Sequence, residues 1–481
     1  MEKLNVCLIN DSFPPEIDGV ANAVTNYAQI INREHGGAAV VTPSNPQADD
    51  SQFPFPVLRY PSIDMTKLVG YRAGMPFSVG IMEELDKRKF DIIHSHCPIT
   101  STMLARVLRD RMDLPVVFTY HTKFDIDIAN AVRGKLLQEE AAKILAENIS
   151  ACDEVWTVSR GAGENLRSLG YRGDYIVMPN GVDFPKGRVS DALIAEVTQG
   201  VDLPAGVPVF LFVGRMMWYK GIRIILDALK ELAEGGQDFR MVFVGGGTDR
   251  DEIMEYAASL SLGDRVYFCQ PIHDRERIRA WYCRADLFLF PSTFDTNGLV
   301  VREAAACALG SVLIKGSCAA EDVVDGESGF LIEENARSMA AKLRELCAAP
   351  EAMARIGAGA QRDIYMSWEE AVGRAYERYY TVIDNYRRGL YPKHEKMSDE
   401  FYRSMAKYLD TAARSREAQQ KRIEELRRSY DSLRNGISDD RQRFLDEMRT
   451  NRAQMKYELD DTREKMREKL EDLTERIDRF L

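Results

Sequence analysis

Arg215 and Lys220 stand five residues apart in GRMMWYKG, Gly214 to Gly221, and FDTNGLVVRE, Phe294 to Glu303, sets Asp295 and Glu303 eight positions apart across a glycine turn. The two cations supply the fixed positive charge that a diphosphate needs, and the two carboxylates supply acceptors for hydroxyls of a sugar and a ribose. Neither pair is distinctive alone, since Arg and Lys five apart are ordinary surface charge and carboxylates eight apart are commonplace on helices. Their joint placement just after strands points to one ligand, a nucleotide sugar.

The elements that must position these residues are legible as alternating short β-branched runs and amphipathic stretches. One series runs LNVCLIN, AAVVTP, DIIHSH, PVVFTYH, EVWTVS, YIVMPN, and a second runs VFLFVG, RMVFVGG, RVYFCQ, LFLFPS, SVLIK. The pattern predicts an α/β chain with two doubly wound, Rossmann-like domains at 1–185 and 209–366. Between them, 186–208 holds Pro204 and Pro208 with several glycines and reads as a linker. Ligands of open α/β sheets bind beyond the carboxyl ends of strands, and VFLFVG, LFLFPS and PVVFTY end beside the candidate residues, so a cleft is expected between the domains. The triple glycine Gly245–Gly247 reads equally as a nucleotide loop or as a strand-to-helix turn.

Composition sets the class. A chain of 481 residues that is 45% hydrophobic can bury two or three domains, as a globular enzyme does. Its eight cysteines are scattered without a CxxC pair, and MEKLNVCLIN begins as a strand without a signal-peptide block, so a reduced, cytoplasmic protein is expected. No apolar run approaches the roughly 20 residues of a membrane span, which leaves peripheral contact as the route to a membrane. The net charge of −11 argues against nucleic-acid partners.

From 395 to 481 acidic and basic residues balance, and apolar side chains recur three and four apart through Ile423, Leu426, Tyr430, Leu433 and Ile437, then Phe444, Met448, Met455, Leu459, Met466, Leu470, Leu473 and Ile477. This reads as a coiled-coil tail that drives homo-oligomerisation. Asn435 and Gly436 could end one helix, with Ser438 capping the next, but the seam stays in phase across them and favours one continuous helix.

With NDSFPPEIDGVANAV around Gly19, TYHT around His121, and the two signatures above, the chain resembles the retaining GT-B nucleotide-sugar glycosyltransferases of the family 4 type over roughly Met1 to Gly389. It is similar to members that glycosylate diacylglycerol or phosphatidylinositol. The resemblance implies an acceptor-binding first domain, a nucleotide-sugar-binding second domain, and a helix at 367–390 that crosses back onto the first. It places Gly19, Arg215, Lys220 and the amides of Asn297, Gly298 and Leu299 at the donor diphosphate, and Glu303 at the ribose. His121 and Asp295 fall at the catalytic centre. Asp295 departs from the family's usual first glutamate by one methylene.

The implied reaction moves a hexose from a UDP- or GDP-linked donor with retention, and needs neither metal nor other cofactor. Asp125 and Asp127 match a metal-binding DxD only in spacing. The implied acceptor is a lipid at the inner face of the membrane, with Lys123, Arg133 and Lys135 among Phe124, Ile126, Ile128 and Val132 as a basic amphipathic face. A soluble sugar or polysaccharide acceptor, or an inactive scaffold acting through the coiled coil, are the alternatives.

Overall fold

The computed structural model describes residues 2–16, 18–65, 72–124, 128, 134–392, 397–434 and 441–478. Asp125, Asp127, Ile126, Val132, Arg133, Asn435, Gly436 and Ser438 lie outside the described residues. The chain divides into two compact units, Met1–Asp410 and Thr411–Leu481.

The first unit holds two parallel sheets. The first is built from β1 (Asn5–Ile9), β2 (Gly37–Pro43), β3 (Val57–Tyr60), β6 (Ile92–Ser95), β7 (Val116–Tyr120), β8 (Glu154–Thr157) and β9 (Ile176–Val177), in the order β3-β2-β1-β6-β7-β8-β9. A two-stranded antiparallel ribbon, β4 (Ser62–Asp64) with β5 (Arg72–Gly74), lies between β3 and β6 in sequence. The second sheet runs β12-β11-β10-β13-β14-β15, from β10 (Val209–Val213), β11 (Arg240–Val244), β12 (Val266–Cys269), β13 (Leu287–Phe290), β14 (Ser311–Ile314) and β15 (Phe330–Ile332). β1, β6, β7, β10, β13 and β14 are covered on both faces, which is why they read as unbroken apolar runs instead of alternating ones. In each sheet the order reverses once, beside β1 and beside β10, and an open α/β sheet leaves a crevice there.

Two edge strands and the ribbon escape the sequence pattern. β3 is a four-residue edge strand between Pro56 and Pro61, and β15 is a three-residue edge. Such short segments carry too few alternations to stand out.

Helix Trp368–Arg387 buries Trp368, Ala371, Val372, Ala375, Tyr376, Tyr379, Val382 and Ile383 in one core with Leu4, Val6, Leu8 and Tyr27 of the first sheet's layer. It starts from Ser367, whose side chain accepts from the Glu370 amide, and Tyr376 Oη accepts from the Leu4 amide at 2.7 Å. A chain that has passed through the second sheet therefore completes the core of the first.

Helix Met397–Arg434 begins inside the first unit. Tyr402, Ala406 and Leu409 join the core under β6 and β7, and Asp399 meets Arg106 at 2.6 Å with both side chains 3% exposed. The separate helical unit therefore starts at Thr411, not near 395 where the charge composition changes.

In that unit Arg422 meets Glu458 at 3.3 Å. One unbroken α-helix would hold residues so far apart in sequence about 54 Å from each other at 1.5 Å per residue. The continuous helix expected from the in-phase seam is thus corrected. Helices Met397–Arg434 and Arg441–Asp478 fold back side by side as a hairpin, a relation that a seam of constant phase does not reveal.

Candidate functional site

A cleft of about 200 Å³, open to solvent, lies between the two sheets' carboxyl ends. Its walls include Gly19, His121, Lys220, Asp295, Asn297, Gly298 and Leu299. Residues from separate stretches of sequence converge there because each follows a strand that ends at a crevice.

Gly19 opens helix Gly19–Ile30 behind the Asp18 cap, whose carboxylate accepts from the amides of Val20 and Ala21 at 2.8 and 2.7 Å. A Cβ placed on Gly19 would meet no protein atom within 4 Å. Neither backbone nor packing demands glycine there, and the space beside it belongs to the cleft.

Lys220 follows β10 in a 3₁₀ turn that ends at Gly221, whose φ of 76° falls in the left-handed region. A Cβ at Gly221 would also lie 2.1 Å from the Pro291 carbonyl oxygen. Only glycine lets the loop after β10 approach the loop after β13 so closely. That approach brings the buried Lys220 ammonium to 2.5 Å from Asp295 Oδ1, while Ser292 Oγ donates to Asp295 Oδ2 at 2.6 Å. Three aromatic rings, Tyr219, Phe290 and Phe294, stand within 6 Å of the ammonium and hold it in place. Asp295 therefore pairs with Lys220 on the cleft wall.

Gly298, at φ 57°, caps helix Leu299–Ala306, and Asn297 to Val300 line the cleft, so the positive end of that helix stands at the cleft. The Asn297 carboxamide, in the orientation that satisfies both its ends, donates to the Val158 carbonyl and accepts from the Asn180 amide, each at 3.2 Å. Asn180 belongs to PNGVD, where Gly181 lies against the Ser367 backbone and the Val182 amide donates to the Met366 carbonyl at 3.0 Å.

His121 ends β7. Thr296 Oγ1 donates to its carbonyl oxygen at 3.0 Å, and Lys123 donates to the Thr293 carbonyl at 3.4 Å, tying the loop after β7 to the loop after β13. The His121 ring is buried, which pushes its pKa down to about 3 and keeps it neutral at ordinary pH.

Two candidates do not reach the cleft walls. Arg215 is exposed on the loop after β10. Glu303 is buried behind the cleft, where it accepts from Arg275 at 2.7 Å and from Tyr282 Oη at 3.0 Å. Burial raises its pKa, and the Arg275 guanidinium partly offsets that. Arg275 also lies over the Phe184 ring at 4.3 Å. Sequence reading missed Arg275 and Tyr282, which no local spacing links to Glu303. It also missed His96, although HSH in DIIHSH puts two imidazoles on one face of an extended chain.

The triple glycine is a packing feature. A Cβ at Gly245 or Gly247 would strike the carbonyl oxygens of Gly214 or Met216, and none of the three lines the cleft. Among the described residues, no three His, Cys, Asp or Glu side chains are placed to hold a metal ion, and no helix is long and apolar enough to cross a membrane.

Comparisons with known proteins agree with this architecture. Residues 17–185 match Glycosyltransferase Family 4 and residues 195–363 match Glycosyl transferases group 1. A D-inositol 3-phosphate glycosyltransferase of Xylanimonas cellulosilytica is 29% identical over 319 residues, 63% of this chain and 75% of that protein. An alpha-monoglucosyldiacylglycerol synthase of Streptococcus pneumoniae is 22% identical over 308 residues, 63% of this chain and 69% of that protein. Among solved structures, a sucrose-phosphate synthase from Thermosynechococcus elongatus superposes with a TM-score of 0.63 at 21% identity, over 79% of this chain and all of the other. Anabaena HepE, solved in complex with UDP, gives a TM-score of 0.59 at 19% identity, over 80% of this chain and 99% of the other. With a family 4 domain followed by a group 1 domain, on two parallel sheets that face each other across a cleft, the chain belongs to the GT-B glycosyltransferases.

Proposed function

We propose that this glycosyltransferase moves a hexose, with retention and without a metal, from a UDP- or GDP-linked donor to the hydroxyl of a membrane lipid such as diacylglycerol or a glycolipid. The observation that carries the reading is the convergence of Lys220, the helix-terminal amides of Asn297 to Leu299 and His121 on one cleft. A departing nucleoside diphosphate builds negative charge on its β-phosphate, and a preorganised ammonium with backbone amides lowers the barrier to that charge. Arg215 joins them when the loop after β10 closes on the diphosphate. His121, neutral, orients the donor sugar. Glu303 holds the ribose hydroxyls in exchange for part of its contact with Arg275. Asp295 acts through Lys220, keeping the ammonium aimed at the phosphates.

Support for a lipid acceptor comes from helix Lys135–Ser150, where Leu136, Leu137 and Ile144 are 74%, 61% and 65% exposed on one arc. Such a face suits an apolar surface. Relatives named alpha-monoglucosyldiacylglycerol synthase point the same way. The protein would then work at the cytoplasmic face of a membrane as a peripheral enzyme. A soluble acceptor is the second reading, favoured by relatives named D-inositol 3-phosphate glycosyltransferase. Degeneration to a scaffold is the third, with Asp295 as its motive.

The test is transfer from UDP- and GDP-hexoses, in EDTA, to diacylglycerol vesicles or to inositol phosphate. Proton NMR of the product gives the anomer. An α-glycolipid from an α-linked donor supports the reading. Product only with inositol phosphate selects the second reading, an inverted product or dependence on added metal rejects the mechanism, and no transfer to either selects the third.

A further inference from the structure

Behind His121 lies a stack of imidazoles that the reaction as described does not use. His96 Nδ1 and His121 Nε2 share a hydrogen bond of 2.9 Å, their rings near parallel with centroids 5.2 Å apart. His94 lies against the other side of His96, centroids 3.9 Å apart, and Tyr27 meets both rings edge-on. His94 is itself fixed at both nitrogens, to Tyr379 Oη at 2.6 Å and to Thr119 Oγ1 at 2.7 Å. Tyr379 comes from the helix that crosses back from the second domain. The His96 ring, 2% exposed, thus has no other place to turn.

Two nitrogens in the pair meet no partner, His96 Nε2 and His121 Nδ1, and both are buried. A hydrogen bond between neutral imidazoles needs one N–H and one lone pair, so only two arrangements exist. If His121 Nε2 donates, His96 carries its proton on Nε2, an N–H sealed in the core with no acceptor. If His96 Nδ1 donates, the bare lone pair falls to His96 Nε2, and the proton of His121 sits on Nδ1, equally without a protein partner but on a residue that lines the cleft. An orphaned N–H is the costlier defect in a protein interior, and of the two rings it is His121 that lines the cleft, where a ligand oxygen can meet that N–H. The second arrangement therefore wins. Burial supports it by holding all three imidazoles below their ordinary range, His121 at about 3, so each ring carries a single proton.

We propose that His96 is a positioning residue for sugar transfer, whose Nδ1–H donates to His121 Nε2 and so fixes His121 as an Nδ1–H donor to an oxygen of the bound hexose. The proposal rests on His121 facing the donor sugar. Each histidine in and after the His-Ser-His sequence at the end of β6 then has a chemical role, since the first imidazole braces the second, and the second sets the tautomer of the third.

Six histidines occur in the chain, so a long-range ¹H–¹⁵N spectrum of the histidine-labelled full-length protein can be assigned by single substitutions. For His121 the proton is expected on Nδ1, with Nε2 in the range of an acceptor. His96→Phe keeps a ring and removes the bond. It is expected to break the single tautomer and to lower kcat at least about tenfold while KM for the nucleotide sugar stays within about twofold. His96→Asn, whose carboxamide places a donor near the old Nδ1, is expected to restore most of kcat. A wild-type His121 protonated on Nε2, or a His96→Phe protein with unchanged tautomer and kcat, would overturn the proposal. The wild-type spectrum needs neither turnover nor a variant that has to fold. Should His121→Phe turn over normally while the spectrum is as expected, the sugar-facing role of His121 is what fails, and the hydrogen-bond relation stands.

Discussion

Lys220 and Asp295 were recognisable by type and spacing, yet their relation was not. Sequence places both after strands, but only the close approach at Gly221 shows that the shortened acid reaches the ammonium at 2.5 Å. Glu303 shows the same limit from the other side: its partners Arg275 and Tyr282 lie on a neighbouring helix, and no local pattern joins them. The three neutral imidazoles carry a thermodynamic consequence. In the unfolded chain His94, His96 and His121 take up protons as pH falls through about 6.5, whereas in the folded chain they resist until far lower. The unfolded state then binds more protons, so stability is present above about 6.5 and is lost as pH falls below it. Three protons correspond to a slope of up to about 4 kcal/mol per pH unit. Glu303, raised by burial, works in the opposite sense by at most one proton. Urea unfolding at pH 7.5 and 5.5 should show this loss above the range where ordinary carboxylates titrate, and equal stability at the two pH values would contradict it.

At the scale of elements, buried parallel strands were the most readable feature, because a strand covered on both faces is written as an unbroken apolar run. Edge strands β3 and β15 were not, being too short to show a period. The helix after 395 misled for a different reason. Its composition is that of a solvated tail from the start, but Tyr402, Ala406 and Leu409 recur at helical spacing and fill the core, and Asp399 neutralises Arg106 there. Removing one partner of a buried ion pair costs about 3–5 kcal/mol. Truncation after Asp410 should therefore leave the melting temperature of the first unit nearly unchanged, while truncation after Pro392 should lower it by many degrees. Equal melting temperatures for the two truncations would show that the first turns of this helix contribute nothing to that core.

At the scale of the whole molecule, two sheets and a crossing helix make one body with a cleft, and a helical hairpin follows it in sequence. The fold was legible because two series of strands repeat; the hairpin was not, because a constant seam is compatible with one helix or two. Within the hairpin Leu426, Met455 and Met466 are half-buried, but Ile423, Met448, Leu459 and Leu470 remain exposed, Leu470 at 57%. A second copy of the hairpin is the occupant we propose for that apolar row, giving a homo-oligomer. Mass photometry should give a multiple of 54.5 kDa for the full chain and a monomer after removal of 411–481. A monomeric full chain would sink the idea.

The central claim is that the cleft holds a nucleoside diphosphate sugar through Lys220 and the amides at Gly298, and its most direct measure is calorimetric titration of UDP- and GDP-hexoses into the full-length protein and Lys220→Ala. Saturable binding of one donor by the full-length protein, weakened at least about tenfold by loss of the ammonium, is the predicted result. Equal affinity in the variant, or no binding of either donor to the unaltered protein, would contradict it.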